Sequence, residues 1–159
     1  MRLTEHRIDE LTRLRFRIFT CPLSAEEYPF VLILSFSGEL EAGTAGNLDA
    51  EIIRVFTLAA VSLFWETQGV IFDFRELDYK MGNAIWNVFG HGIKQSGVEH
   101  LPCALVVSDL CRQGFSSCPG LVPPMFDDLE SALKCVSAVE TEQVKQESPT
   151  VKKWWEFWK

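Results

Sequence analysis

The chain has 159 residues, 47% of them hydrophobic, and a net charge of −7. That length suits one domain, with a core large enough to stand without disulfides or a structural metal. The acidic balance argues against sequence-independent nucleic-acid binding, which needs an excess of Lys and Arg to meet phosphate, and it limits attraction to anionic lipid to places where positive charge is concentrated.

Residues 1–17 carry Arg2, Glu5, Arg7, Asp9, Glu10, Arg13, Arg15 and Arg17, so no apolar export signal reads there. The most apolar run, Phe56 to Trp65, falls short of the roughly 20 residues a membrane-spanning helix takes. The five cysteines, Cys21, Cys103, Cys111, Cys118 and Cys135, are odd in number and lack paired spacing, which fits reduced thiols. The expectation is a cytoplasmic protein. No zinc-ligand spacing is present, so no metal is expected.

Arg13 to Phe19 alternates charged and apolar residues. This predicts a half-buried strand with Leu14, Phe16 and Ile18 inward and the arginines outward. Charges on an exposed strand also discourage aggregation. Pro22 and Pro29 bracket a loop, and Phe30 to Phe36 reads as a buried strand ended by Gly38. Thr44 is a helix cap. Behind it Leu48, Ile52, Val55, Phe56, Ala59 and Leu63 recur as one apolar stripe, expected to face the core.

Val70 to Phe74 predicts the central strand. Ile85, Val88, Phe89, Gly92 and Ile93 mark a second helix, and Leu101 to Ser108 a further core strand. Residues 109–126, with Gly114, Pro119, Gly120, Pro123 and Pro124, read as loop. Asp127 and Glu130 form a capping-box pair ahead of a last helix bearing Leu129, Ala132, Leu133 and Val136.

The first two strands are joined too briefly for a helical crossover, so that pair is expected to be antiparallel. The alternation beyond them means βαβ units and right-handed crossovers. The predicted fold is α/β: a four-stranded mixed, mostly parallel sheet with helices mainly on one face. Leu34, Ile52, Phe56, Phe72, Phe89, Val106 and Leu133 are its expected core. Composition divides the chain into a domain over 1–138, a flexible linker over 139–153 and an aromatic tail over 154–159.

Over about residues 12–137 this pattern resembles the STAS family, the domain of sulfate transporters and anti-sigma-factor antagonists. Ser35-Phe36-Ser37-Gly38-Glu39-Leu40 is similar to the family's strand and turn before its first helix. Val70 to Leu77 is similar to its Asp-bearing central strand, and Phe126 to Leu133 to its final helix. The resemblance implies a non-enzymatic regulatory or scaffold module of bacterial-type signalling. The family's regulatory members are phosphorylated on a Ser in an Asp-Ser-Ser-Gly-like turn after that strand. Here the segment reads Tyr79-Lys80-Met81-Gly82, so the phospho-switch does not carry over.

No GxGxxG, Walker or GxSxG motif appears. His6, His91 and His100 have no acid or nucleophile at a recognisable spacing, so no catalytic residue and no cofactor are expected. Asp73 lies inside a strand, which suits a structural hydrogen bond. In open α/β sheets, sites lie beyond the carboxyl ends of the strands. That edge is expected to hold Asp78, Tyr79, Lys80, Met81, Asn83, Trp86 and Asn87, the candidate contacts for another protein, together with Ser108 to Arg112. Two other readings fit: an acidic inhibitor or immunity-type protein matched to a basic target, and a binder of a nucleotide or lipid. Trp154, Trp155, Phe157 and Trp158, flanked by Lys152, Lys153 and Lys159, suit docking on a partner, on the domain itself or at a membrane interface.

Overall fold

The computed structural model describes residues 12–23, 29–40, 44–79, 89, 101–116 and 123–143. In chain order these form β1 (Arg15–Pro22), β2 (Phe30–Leu40), α1 (Thr44–Leu63), β3 (Thr67–Tyr79), β4 (Cys103–Val107), α2 (Asp109–Ser116), β5 (Met125–Phe126) and α3 (Leu129–Gln143). The expected second helix lies outside the described residues except for Phe89.

The sheet is mixed, in the order β1-β2-β3-β4-β5. β1 runs antiparallel to β2, from Arg15 opposite Ser37 to Pro22 opposite Phe30, and the other pairs are parallel. Four strands fall where the hydrophobic pattern puts them. The fifth, β5, is two residues long and pairs with Leu105 and Val106. It and α2 both arise within 109–126, so the expectation of a loop there is corrected. α2 starts on the carbonyl of Ser108, which accepts from the N–H groups of Cys111 and Arg112. It buries Cys111 and Phe115, four residues apart. Gly114 is a packing residue rather than a breaker. A Cβ there would lie 2.6 Å from the Tyr79 ring.

Alternation along the strands builds two cores. Leu34, Phe36, Phe72, Phe74, Leu105 and Val107 face α1 and α2, with Phe89 and Phe115 in the same cluster. The Phe74 and Phe115 rings stack at 5.5 Å, and Phe89 meets Phe72 edge-on at 5.2 Å. Val31, Ile33, Ile71, Ala104 and Val106 face Ala132 and Val136 of α3 on the other side. Two of the three described helices therefore share one face.

Leu34, Phe72, Phe89 and Val106 are buried as expected. Ile52, Phe56 and Leu133 are only half-buried, a correction. α1 instead turns Ala50, Ile53, Thr57, Ala60 and Val61 toward the sheet. These smaller residues allow closer approach of helix to strand. Thr57 can be buried because its hydroxyl donates to the Ile53 carbonyl at 2.8 Å.

β3 runs five residues past the expected end at Phe74. Opposite Phe36 of β2 it inserts an extra residue, so Ser35 faces Asp73 but Ser37 faces Glu76. This bulge leaves Arg75 and Glu76 both exposed and shifts the alternation by one. Leu77 and Tyr79 thereby join the same core as Phe72 and Phe74. β2 likewise continues through Gly38, whose φ of +114° and a would-be Cβ 2.7 Å from the Arg13 carbonyl oxygen exclude other residues there. At the other end α3 continues to Gln143, past the compositional boundary at 138. No strong helix breaker occurs there before Pro149. No described helix is long and apolar enough to cross a membrane.

Candidate interaction surface

The expected edge site is only partly within the described residues. Asp78 is half-buried on β3, at the register position opposite Glu39. Tyr79 is 2% exposed, its ring 5.1 Å from that of Phe115. As a surface contact it is corrected, because the bulge turns it into the core. Lys80, Met81, Asn83, Trp86 and Asn87 lie outside the described residues, as do Trp154, Trp155, Phe157 and Trp158. Of Ser108 to Arg112, Cys111 is buried, with its thiol directed at the Phe74 carbonyl oxygen at 3.3 Å. Arg112 pairs with Asp127. The Ser108 hydroxyl is buried without a hydrogen-bond partner.

The largest apolar surface lies elsewhere, on α1. The residues Leu48, Val55 and Leu63 are 44%, 56% and 74% exposed. Ile52 and Phe56 lie half-buried between them. Phe56 leans on Phe16 of β1 with ring centroids 4.8 Å apart. Together Phe16, Leu48, Glu51, Ile52, Val55, Phe56 and Ala59 line a groove of about 580 Å³. Past the C-terminus of α1 a second hollow, of about 300 Å³, is lined by Phe30, Leu63, Phe64, Trp65 and Glu66. Trp65 there is 79% exposed.

Hydrogen bonds hold the two walls of the groove together at one end. Thr12, just before β1, donates its hydroxyl to Asp49 in the early part of α1 and accepts from the Leu14 N–H. Asp49 is buried there, and a carboxylate is favourable near a helix N-terminus. This wall was read as core from the sequence because its period is helical. The clue to the contrary is that α1 is apolar nearly all round. Its polar positions between Leu48 and Leu63 are only Asp49, Glu51, Arg54, Thr57 and Ser62. Both sides cannot face one sheet.

The opposite sheet face is charged over its carboxyl half. Arg17 bonds Glu76 at 2.9 Å and reaches the Ser35 hydroxyl at 3.5 Å. Arg75 makes two 2.9 Å bonds to Asp73, which hold its guanidinium pKa above the ordinary value. Asp73 thus has the hydrogen-bonding role its strand position suggests. Beside them Phe19 is 49% exposed, with the Arg17 guanidinium 6.0 Å from its ring centre. Burial pushes the Cys103 thiol up to about 12, far from reactive. Among the described residues no three His, Cys, Asp or Glu side chains gather as metal ligands do. No family model matches the sequence, and no curated protein matches it.

Proposed function

We propose that this chain is a non-enzymatic protein-interaction module of STAS type, a regulatory or scaffold protein without the family's phospho-switch. One observation carries the reading: α1 exposes Leu48, Val55 and Leu63 in a row beside the groove over Phe16. Contiguous apolar surface on a folded domain marks a place where another macromolecule is covered. The groove has a volume in the range of small-molecule sites, yet Glu51 is the one charged residue in its lining. A small ligand would lack the convergent polar groups that fix its orientation, whereas the apolar side of a protein needs none. Sheet order and strand directions also suit the STAS resemblance.

The test is capture from host lysate by the wild type and by the Ile52→Asp/Val55→Glu double variant. Both positions are half or more exposed, so the variant should melt close to the wild type. The expected result is loss of the bound protein with folding intact. Capture of the same protein by both forms would remove the groove from the interface.

A further inference from the structure

β1 stands out as a strand with three open sides. Among the described residues it pairs only with β2, so its other edge carries free N–H and C=O groups. On the α1 side Phe16 and Ile18 are only half-buried. On the other side Phe19 is exposed and α3 packs over β2, β3, β4 and β5 instead. A half-apolar strand of eight residues, open on this scale, is a template for another strand.

The arginines narrow the choice of that strand to a copy of β1 itself. In an antiparallel pair about a two-fold axis, opposed residues share a face, so the axis passes through one residue position. Centred on Phe16, it sets Arg15 against Arg17. Centred on Arg17, it sets Arg17 against Arg17. Like charges directly opposite are unfavourable. Centred on Phe19, it brings in Pro22, which has no N–H to give. Centred on Ile18, it pairs Arg15 through Cys21 without Pro22 and sets each Arg17 opposite a Phe19. That guanidinium already lies toward a Phe19 ring within its own chain, a contact that suits the quadrupole of an aromatic face.

We propose that two copies of this chain pair antiparallel through their β1 edges, centred on Ile18, joining two five-stranded sheets into one. The axis is perpendicular to the sheet, so both α1 helices lie on the same side. The two grooves merge into one trough, floored by Phe16 and Ile18 of both copies and walled by Ile52, Val55 and Phe56. This rests on the reading of the chain as an interaction module and names its first partner, a second copy.

Sedimentation velocity on the full chain over a micromolar concentration series tests it. The wild type is expected to show a monomer–dimer equilibrium. Phe19→Arg places arginine against arginine at two symmetric positions and should weaken the dimer on the order of tenfold or more. Phe19→Glu places a carboxylate against each Arg17 and should keep or tighten it, with the gain fading as salt rises. Phe19 is half exposed, so both variants should fold, which a thermal melt verifies. A wild type that stays monomeric overturns the proposal, as does a dimer that survives Phe19→Arg or is lost equally in both variants. A monomeric wild type would mean that the groove serves a different occupant, and the lysate capture with Ile52→Asp/Val55→Glu decides that separately.

Discussion

Two residues show how a one-letter change in position or identity propagates. Gly114 lies inside α2 with room for no side chain, since a Cβ would meet the Tyr79 ring at 2.6 Å and the Tyr79 carbonyl oxygen at 2.8 Å. Tyr79 is locked between strand and helix and cannot retreat. Gly114→Ala is expected to cost about 1–3 kcal/mol, as overpacking in a core does, and denaturant unfolding measures it. Asp128 caps α3, accepting from the Ser131 N–H at 2.8 Å and the Ser131 hydroxyl at 2.9 Å. The cap expected from sequence was Asp127, one residue early. Asp127 instead meets Arg112, and Glu130 meets Lys134. The backbone hydrogen bond from Ser131 holds the Asp128 carboxyl below its ordinary value. A depressed acid contributes stability above its unfolded pKa and loses it as pH falls through the folded one. Asp128→Ala should therefore lower the melting temperature at neutral pH, and the difference from wild type should shrink on acidification below about pH 4, the ordinary carboxylate range. A difference that stays constant down to low pH would mean that the charge plays no part.

At the level of elements α1 is the decisive case. Periodicity placed Leu48, Ile52, Val55 and Phe56 on the buried side, while the folded chain buries Ala50, Ile53, Thr57 and Ala60. The two stripes make opposite predictions for alanine substitution. Ile53→Ala opens space in a fully buried position and should cost about 2–5 kcal/mol. Val55→Ala, at 56% exposure, should stay within about 0.5 kcal/mol of wild type. Equal losses at the two positions would show that the outer stripe is covered within the monomer. β3 illustrates the complementary lesson. Its apolar run through Phe74 was legible, but its last five residues were not. The bulge at Arg75 and Glu76 breaks the two-residue period, and a broken period reads as a turn. Gly114 misled for a related reason: close approach to Tyr79 and a loop both call for glycine, and sequence does not separate them.

For the whole molecule, the sequence by itself determined the class of the fold. Apolar runs at Phe30 to Phe36, Val70 to Phe74 and Ala104 to Val107 must be buried on both faces, which demands a sheet covered by helices. The short link between the first two strands then required an antiparallel edge, and both features are present. These conclusions follow from local pattern, because burial of a strand is written in its own residues. Only the tertiary structure decided which side of α1 meets the sheet, where β3 ends, that Tyr79 lies inside, and that β1 is left open. Each of these depends on the distance between elements far apart in sequence: the room under α1, the extra residue opposite Phe36, the ring of Phe115. A helix apolar on both sides carries two equally good answers in its sequence. The choice falls to whichever side packs closest against its neighbours, and the side left over becomes the surface with which the molecule meets a partner.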